Sequence, residues 1–335
     1  MRLFWFWLWA PGLLLGQVPR IGVIDFYGLR KLPEARVRSA LGVSEKDALP
    51  RSKVDVEERL EKIPGVVRAR LEAVCCEGDR AILYVGIEEK GAPHFDYRLP
   101  PSSNTTLPPD LVETYRKFLE AFERVARSGT VAEDLTHGYS LMADPEGRAL
   151  QEQFRAFAEQ NVELLHEVLR EAKDDEQRAV AAYVIGYAPK KRGVVNDLLY
   201  AMQDAHDDVR ANAMRALGAI AVLAAREPDS DLRISPTWFI EMLNSIVWTD
   251  RQRAATALVN LTESRNPGVL EQLRERALPS LVEMAQWKTL AHALPAYLVL
   301  GRIAGLSEKD IQESWSKGER DRVILQVASP PSRKR

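Results

Sequence analysis

The side chains best equipped for chemistry in this 335-residue chain are few and scattered. Its five histidines, His94, His137, His166, His206 and His292, share no paired spacing on one helix turn, so no helix is expected to present two imidazoles to a zinc ion. Cys75 and Cys76 are the only cysteines, and they are adjacent, which suits neither a metal knuckle nor an unstrained disulfide. No glycine-rich phosphate loop and no Gly-x-Ser-x-Gly elbow occurs. The stretch 204–208 gathers acids around His206, but it opens a helical pattern, and capping accounts for it. One stretch is unusual: Asp134-Leu-Thr-His137-Gly-Tyr139-Ser-Leu-Met-Ala-Asp144. It reads as a connection whose His, Tyr, Ser and two Asp make it a candidate functional patch. No catalytic, cofactor-binding or metal-ligating set is expected, and no cofactor. With 46 basic and 48 acidic residues the formal charge is −2, which offers no basic face for nucleic acid. No small-molecule substrate is evident.

The elements that would carry these residues follow a repeated pattern between 174 and about 305. Its copies are Asp175-Glu-Gln-Arg178-Ala-Val-Ala-Ala-Tyr-Val-Ile-Gly186, Asp207-Asp-Val-Arg210-Ala-Asn-Ala-Met-Arg-Ala-Leu-Gly218, Asp250-Arg-Gln-Arg253-Ala-Ala-Thr-Ala-Leu-Val-Asn-Leu261 and a degenerate Thr289-Leu-Ala-His-Ala-Leu-Pro-Ala-Tyr-Leu-Val-Leu-Gly301. The Arg-to-Arg steps are 32 and 43 residues, and a further 40 leads to Ala293. A leading acid suits the positive end of a helix, and the alanines allow close helix packing. Breakers at Pro189, 228–236, Pro267-Gly268 and Gly305 separate these helices from partner helices expected at 194–202, 237–247, 269–284 and 308–316. A period of this size means a stacked array in which each pair buries its apolar face against the next. The repeated Arg178, Arg210 and Arg253 are expected to pair with acids of neighbouring repeats. The pattern resembles HEAT repeats, which implies an α-solenoid over 174–318, preceded by a helical cap or diverged repeats over 110–173 and followed by a tail over 319–335 whose end, Ser329 to Arg335, is basic and frayed.

The first ninety residues are different text. Residues 1–17 read as a signal peptide: Arg2 precedes a 14-residue uncharged apolar run, too short for a membrane span of about 20 residues. An uncleaved anchor is the alternative. Residues 18–90 alternate strand and helix signals. A β-rich run opens at Ile21, helices are expected at 32–41 and 52–63, and Ser52 is placed to cap the second. From Val67 apolar residues alternate through Ala69, Leu71, Ala73 and Cys75, with Arg68, Arg70 and Glu72 between them, so Cys75 points inward and Cys76 outward. The order is β-α-α-β-β. With Ile24-Asp-Phe-Tyr-Gly28, Leu60-Glu-Lys-Ile-Pro-Gly65-Val-Val and Ile82-Leu-Tyr-Val-Gly-Ile-Glu-Glu89, the segment resembles a POTRA domain. That resemblance implies docking by strand addition at a sheet edge, although no barrel strands follow. Residues 91–109 hold five prolines and read as an extended, mobile linker between separately folded halves.

The expected fold class is thus α+β in two domains, a small POTRA-like unit followed by an all-α solenoid. The expected function is an exported, non-catalytic protein-binding scaffold of a bacterial cell envelope, with envelope or outer-membrane assembly components as partners. The resemblance also admits a HEAT-like lyase or enzyme-assembly factor, or a structural part of an outer-membrane assembly or cell-division complex.

Overall fold

The computed structural model describes residues 19–77, 80–128, 131–227 and 230–328, without the side chains of residues 75–77, 128 and 328. The signal segment and the orientations of Cys75 and Cys76 therefore lie outside the described residues.

The N-terminal unit runs β1 (Ile21–Tyr27), α1 (Glu34–Leu41), α2 (Lys53–Glu61), β2 (Val66–Glu77) and β3 (Arg80–Glu89). The sheet order is β1-β3-β2, with β3 parallel to β1 and antiparallel to β2. The Ser52 hydroxyl caps α2 by accepting from Asp55 N at 3.1 Å. Leu71, Leu83, Val85 and Ile87 pack one sheet face onto Val37, Leu41, Val56 and Leu60 of the two helices. The other face, with Tyr27, Ile82 and Tyr84, joins the core of the helical region. The central strand is buried on both faces, which explains its nearly continuous apolar sequence. Gly28 closes β1 at φ +82°, where a Cβ would stand 2.0 Å from the Ile87 carbonyl oxygen.

The helical region opens with α3 (Pro109–Ser128), a two-rung hairpin of β4 (Glu133–Asp134) and β5 (Leu141–Met142), and α4 (Pro145–Gln160). A first row of helices then comprises α5 (Val162–Glu171), α7 (Lys191–Ala201), α9 (Thr237–Met242) and α11 (Pro267–Ala285). A second row comprises α6 (Asp175–Ile185), α8 (Asp207–Arg226), α10 (Trp248–Leu261) and α12 (Leu290–Ile303). Each helix packs on its pair-mate, second-row neighbours pack on one another, and in the first row α5 packs on α7 and α9 on α11, so the rows form a helical-repeat solenoid with one continuous core. Two helices, α13 (Glu308–Ser316) and α14 (Arg320–Ala328), close the far end.

Four features depart from the sequence reading. First, the third repeat is shifted by two residues. Val247 is the helix cap, so the arginine equivalent to Arg178 and Arg210 is Arg251, not Arg253. Second, the segment read as a tail over 319–335 begins with a helix, and its frayed end, 329–335, lies outside the described residues. Residues 320–328 form α14, which buries Val323, Ile324 and Val327 against the solenoid. Third, α9 is half the expected length and ends at Met242.

Fourth, the proline-rich segment is not an open tether. Phe95 and Leu107 are buried, Arg98 N donates to Gln203 O at 2.7 Å, and Ser103 bridges Ala172 in parallel register. The Tyr97 hydroxyl contacts the Ser245 hydroxyl at 2.7 Å and donates to Asp250 at 3.2 Å. Proline prevents helix here without preventing docking in extended form. The segment thus runs back along the edge of the solenoid from the third repeat to the first.

Candidate functional site: the open face of the second helix row

The repeated arginines are structural. Arg178 meets Asp204 at 2.8 and 2.9 Å and donates to the carbonyls of Ala172 and Lys173, six and five residues earlier. Arg210 meets Asp250 at 3.0 Å and donates to the carbonyls of Asp204 and Ala205. Arg251 donates to Ser245 O at 2.5 Å and pairs with Glu283 at 3.2 Å. Each guanidinium therefore ties the turn before its own helix to an acid of the next repeat, and its five fixed donors suit that geometry. Burial pushes the Asp250 carboxyl up, against the pull of Arg210, while that carboxylate holds Arg210 charged.

The edge where second-row helices begin is closed by the N-terminal unit. Glu72 accepts from Trp248 N at 2.7 Å and from the Thr249 hydroxyl at 3.2 Å, capping α10. Asp25 accepts from Lys288 N at 3.0 Å, just before α12, and Arg70 pairs with Asp207 at 3.1 Å on α8. Negative charge at these helix starts is favourable. Of the polar alternates of β2, Arg70 and Glu72 thus face the solenoid, while Arg68 pairs with Glu88. Tyr84 stacks on Trp248 at 4.7 Å, and its hydroxyl lies 2.7 Å from His292 Nδ1. The outer edge of β2 is also engaged: Glu61 accepts from Ala69 N at 3.0 Å and Glu57 from Leu71 N at 2.7 Å.

The histidines do separate structural work. His166 pairs with Asp197 beside Arg170, and His206 caps α8. Among the described residues, His206, Asp207 and Asp208 alone could offer metal ligands together, and Arg70 already engages Asp207. The stretch from Asp134 to Asp144 also resolves into local tasks. Asp134 accepts from Thr136 N, Asp144 caps α4 through Gly147 N, and exposed His137 stacks on Tyr139 at 5.9 Å. Behind this loop the structure gathers residues that sequence reasoning missed. The Tyr187 hydroxyl donates to Ser140 O at 2.9 Å, and Gln151 bridges Met142 N and the Tyr183 hydroxyl. The cavity among Tyr139, Tyr183, Tyr187, Asn212 and Arg215 measures about 10 Å³, room for a single water and no organic substrate. Lys191 lies against it: Nζ donates to Gly186 O at 2.6 Å and sits 4.7 Å from the Tyr139 ring centroid. Burial alone brings its amine down to about 7. The i, i+4 spacing of Tyr183 and Tyr187 was the one legible signal for this cluster.

What remains open is a stripe along the second row. Over α6 it is covered, because Tyr115 and Phe118 of α3 and Phe154 of α4 pack on Tyr183. Asn212 Nδ2 donates to the Tyr115 hydroxyl at 2.8 Å, and the cover extends along α8, where Phe122 lies over Arg215 and Gly138 lies against Leu223. Beyond it, α10 presents exposed Arg253 and Thr256 with half-buried Asn260, and α12 presents half-buried Leu294 and Leu298. These positions recur three and four residues apart, while Ala254, Ala255 and Leu258 on the opposite side of α10 are buried in the core. Among the described residues no helix is long and apolar enough to cross a membrane.

No protein-family model matches this chain, and no curated protein does. Solved structures with some likeness are designed armadillo repeat proteins. One has 17% identity and a TM-score of 0.37, covering 59% of this chain and 92% of its own. Another, in complex with peptide (KR)4, has 15% identity and a TM-score of 0.36 over 60% of this chain and 92% of its own. A third, computationally designed for modular peptide recognition, has 14% identity and a TM-score of 0.36 over 65% and 98%. At these scores the likeness is no basis for a function.

Proposed function

We propose that the protein is a non-catalytic scaffold that binds a protein partner along the open face of α10 and α12. The observation that carries this reading is the contrast between that face and three other borders of the solenoid. The first repeat is roofed by α3 and α4, the helix-start edge is sealed by the N-terminal unit and residues 95–107, and the far end is closed by α13 and α14. A chain that closes these three borders with its own elements, and leaves an open stripe of Arg, Thr, Asn and Leu on α10 and α12, has a surface suited to a partner of similar length.

The exported, cell-envelope location belongs to the same proposal and rests on the apolar run that follows Arg2. The POTRA-like reading of residues 18–90 rests on the strand order and on the glycine-bearing segments quoted above. In this reading the unit braces the solenoid, since Glu57 and Glu61 already occupy backbone donors on the β2 edge that an added strand would need.

The test compares affinity capture from the native envelope fraction with wild-type protein and with a Thr256→Trp/Asn260→Trp variant. Recovery of the same proteins by both, or of none by the wild type, overturns the assignment of the face. An intact Met1 in native protein found only in the cytosol overturns export.

A further inference from the structure

Two arginines stand on adjacent helices with less acid than they can bind, Arg253 on the open face of α10 and Arg215 at its covered border on α8. Arg253 on α10 makes no hydrogen bond or ion pair among the described residues, although it is exposed enough to reach one. Desolvation and repulsion from Arg215 lower its pKa, with Glu133 opposing, but a guanidinium stays charged. Arg215 on α8 has one carboxylate partner, Glu133, supplied by the chain's own β4. The Ser140 hydroxyl donates to the same carboxylate at 2.6 Å. Arg215 Nε is buried with no acceptor at all. The side-chain amide oxygen of Gln252, next to Arg253, is likewise buried and unpaired.

Resting on the protein-binding reading above, we infer that Arg215 and Arg253 form a receptor for the carboxylates of an acidic polypeptide segment lying across α8 and α10. Glu133 is then a resident carboxylate that shows how the site is filled and competes for it. Three features favour a polypeptide over other anions. A guanidinium fork matches a carboxylate in two-point geometry. Thr256 and Asn260 supply neutral hydrogen-bonding groups beside it, and Leu294 and Leu298 on the next helix supply apolar surface for the intervening side chains of a mixed sequence. The net charge of −2 provides none of the surrounding positive field that a nucleic acid backbone draws on. Because the two cations repel each other when unfilled, an incoming carboxylate is attracted by both and relieves their repulsion.

The experiment measures fluorescence anisotropy of the full chain with a labelled nonapeptide of three Glu-Ala-Leu repeats. Matching peptides carry Gln or Lys for Glu, and a labelled oligothymidylate serves as the alternative anion. The Glu peptide should bind about tenfold more tightly than the Gln peptide at low salt, with the Lys peptide weakest, and added salt should erode the difference. Arg253→Glu should abolish the Glu-over-Gln preference. Glu133→Gln should strengthen Glu-peptide binding severalfold by freeing Arg215. Equal binding of the Glu and Gln peptides, a preference untouched by Arg253→Glu, tighter binding of the oligonucleotide, or no peptide binding at millimolar concentration each overturns the receptor. Equal Glu and Gln binding that Thr256→Trp/Asn260→Trp removes would keep the protein-binding face while rejecting its acid specificity.

Discussion

Replacing Lys191 by Met should change how stability depends on pH. The Lys191 Nζ is buried against Tyr139 with the Gly186 carbonyl as its only hydrogen-bond partner, and burial is what lowers its amine to about 7 from an ordinary 10.5. Below pH 7 both folded and unfolded chains hold the proton, and the folded protein bears the full cost of burying the charge. Between about 7 and 10.5 the unfolded chain holds more protons than the folded one, so this residue's contribution to stability climbs with pH. Above 10.5 both forms are neutral and the cost is gone. At about 1.36 kcal/mol per decade, the wild type should gain roughly 2.5 kcal/mol from Lys191 between pH 6 and pH 9. Lys191→Met cannot titrate, so its stability relative to wild type should fall by that amount over the same interval. Guanidinium denaturation of both proteins at pH 6, 7, 8 and 9 measures the difference directly. Every other titrating group is common to both and cancels. If the two stability curves run parallel, Lys191 is neither desolvated nor discharged in the folded protein, and the packing of the 133–142 loop over it is wrong.

Arg210→Leu strands the fully buried Asp250 carboxylate and should cost about 3 to 5 kcal/mol, whereas Arg253→Leu should change stability by less than about 0.5 kcal/mol; equal costs would refute the repeat register based on Arg251. Glu72→Ala should cost about 1 to 2 kcal/mol through loss of the α10 cap and its link to the sheet, read by thermal denaturation as a lower midpoint. Gly86→Ala places a Cβ 2.6 Å from Tyr27 and 2.8 Å from the Ile246 carbonyl oxygen, displacing the 2.7 Å Tyr27–Ile246 hydrogen bond; a loss of about 1 to 3 kcal/mol is expected, and an unchanged melt would contradict the docking of the sheet. Because Phe95, Tyr97 and Leu107 anchor residues 95–107 to the repeats, limited proteolysis should spare them and calorimetry should show one transition; early cleavage there with two separate melts would restore a tethered arrangement.

The sequence was most legible where structure follows from neighbours in the chain. The acid-led, alanine-rich copies and the breakers between them identify stacked helix pairs. The period-two runs around Leu71 and Leu83 identify a hairpin whose third strand is Ile21–Tyr27. These signals survive because helix and strand periods are set by backbone geometry within a few residues. The register of the third repeat was misread because Asp250 and Arg253 imitate the local motif. Only the buried meeting of Asp250 with Arg210 shows that this acid serves the previous repeat, which leaves Arg251 as the true equivalent. Arg70 and Glu72 alternate with apolar residues as any solvent-facing pair would, yet they meet Asp207 and Trp248, 137 and 176 residues away. The proline-rich segment announces an extended backbone but not the surface along which it lies. Nor could the chain order alone bring Glu133 to Arg215 while leaving Arg253 in solvent. A polar side chain looks the same in sequence whether water or a distant partner satisfies it, because what buries it is the packing of elements remote along the chain.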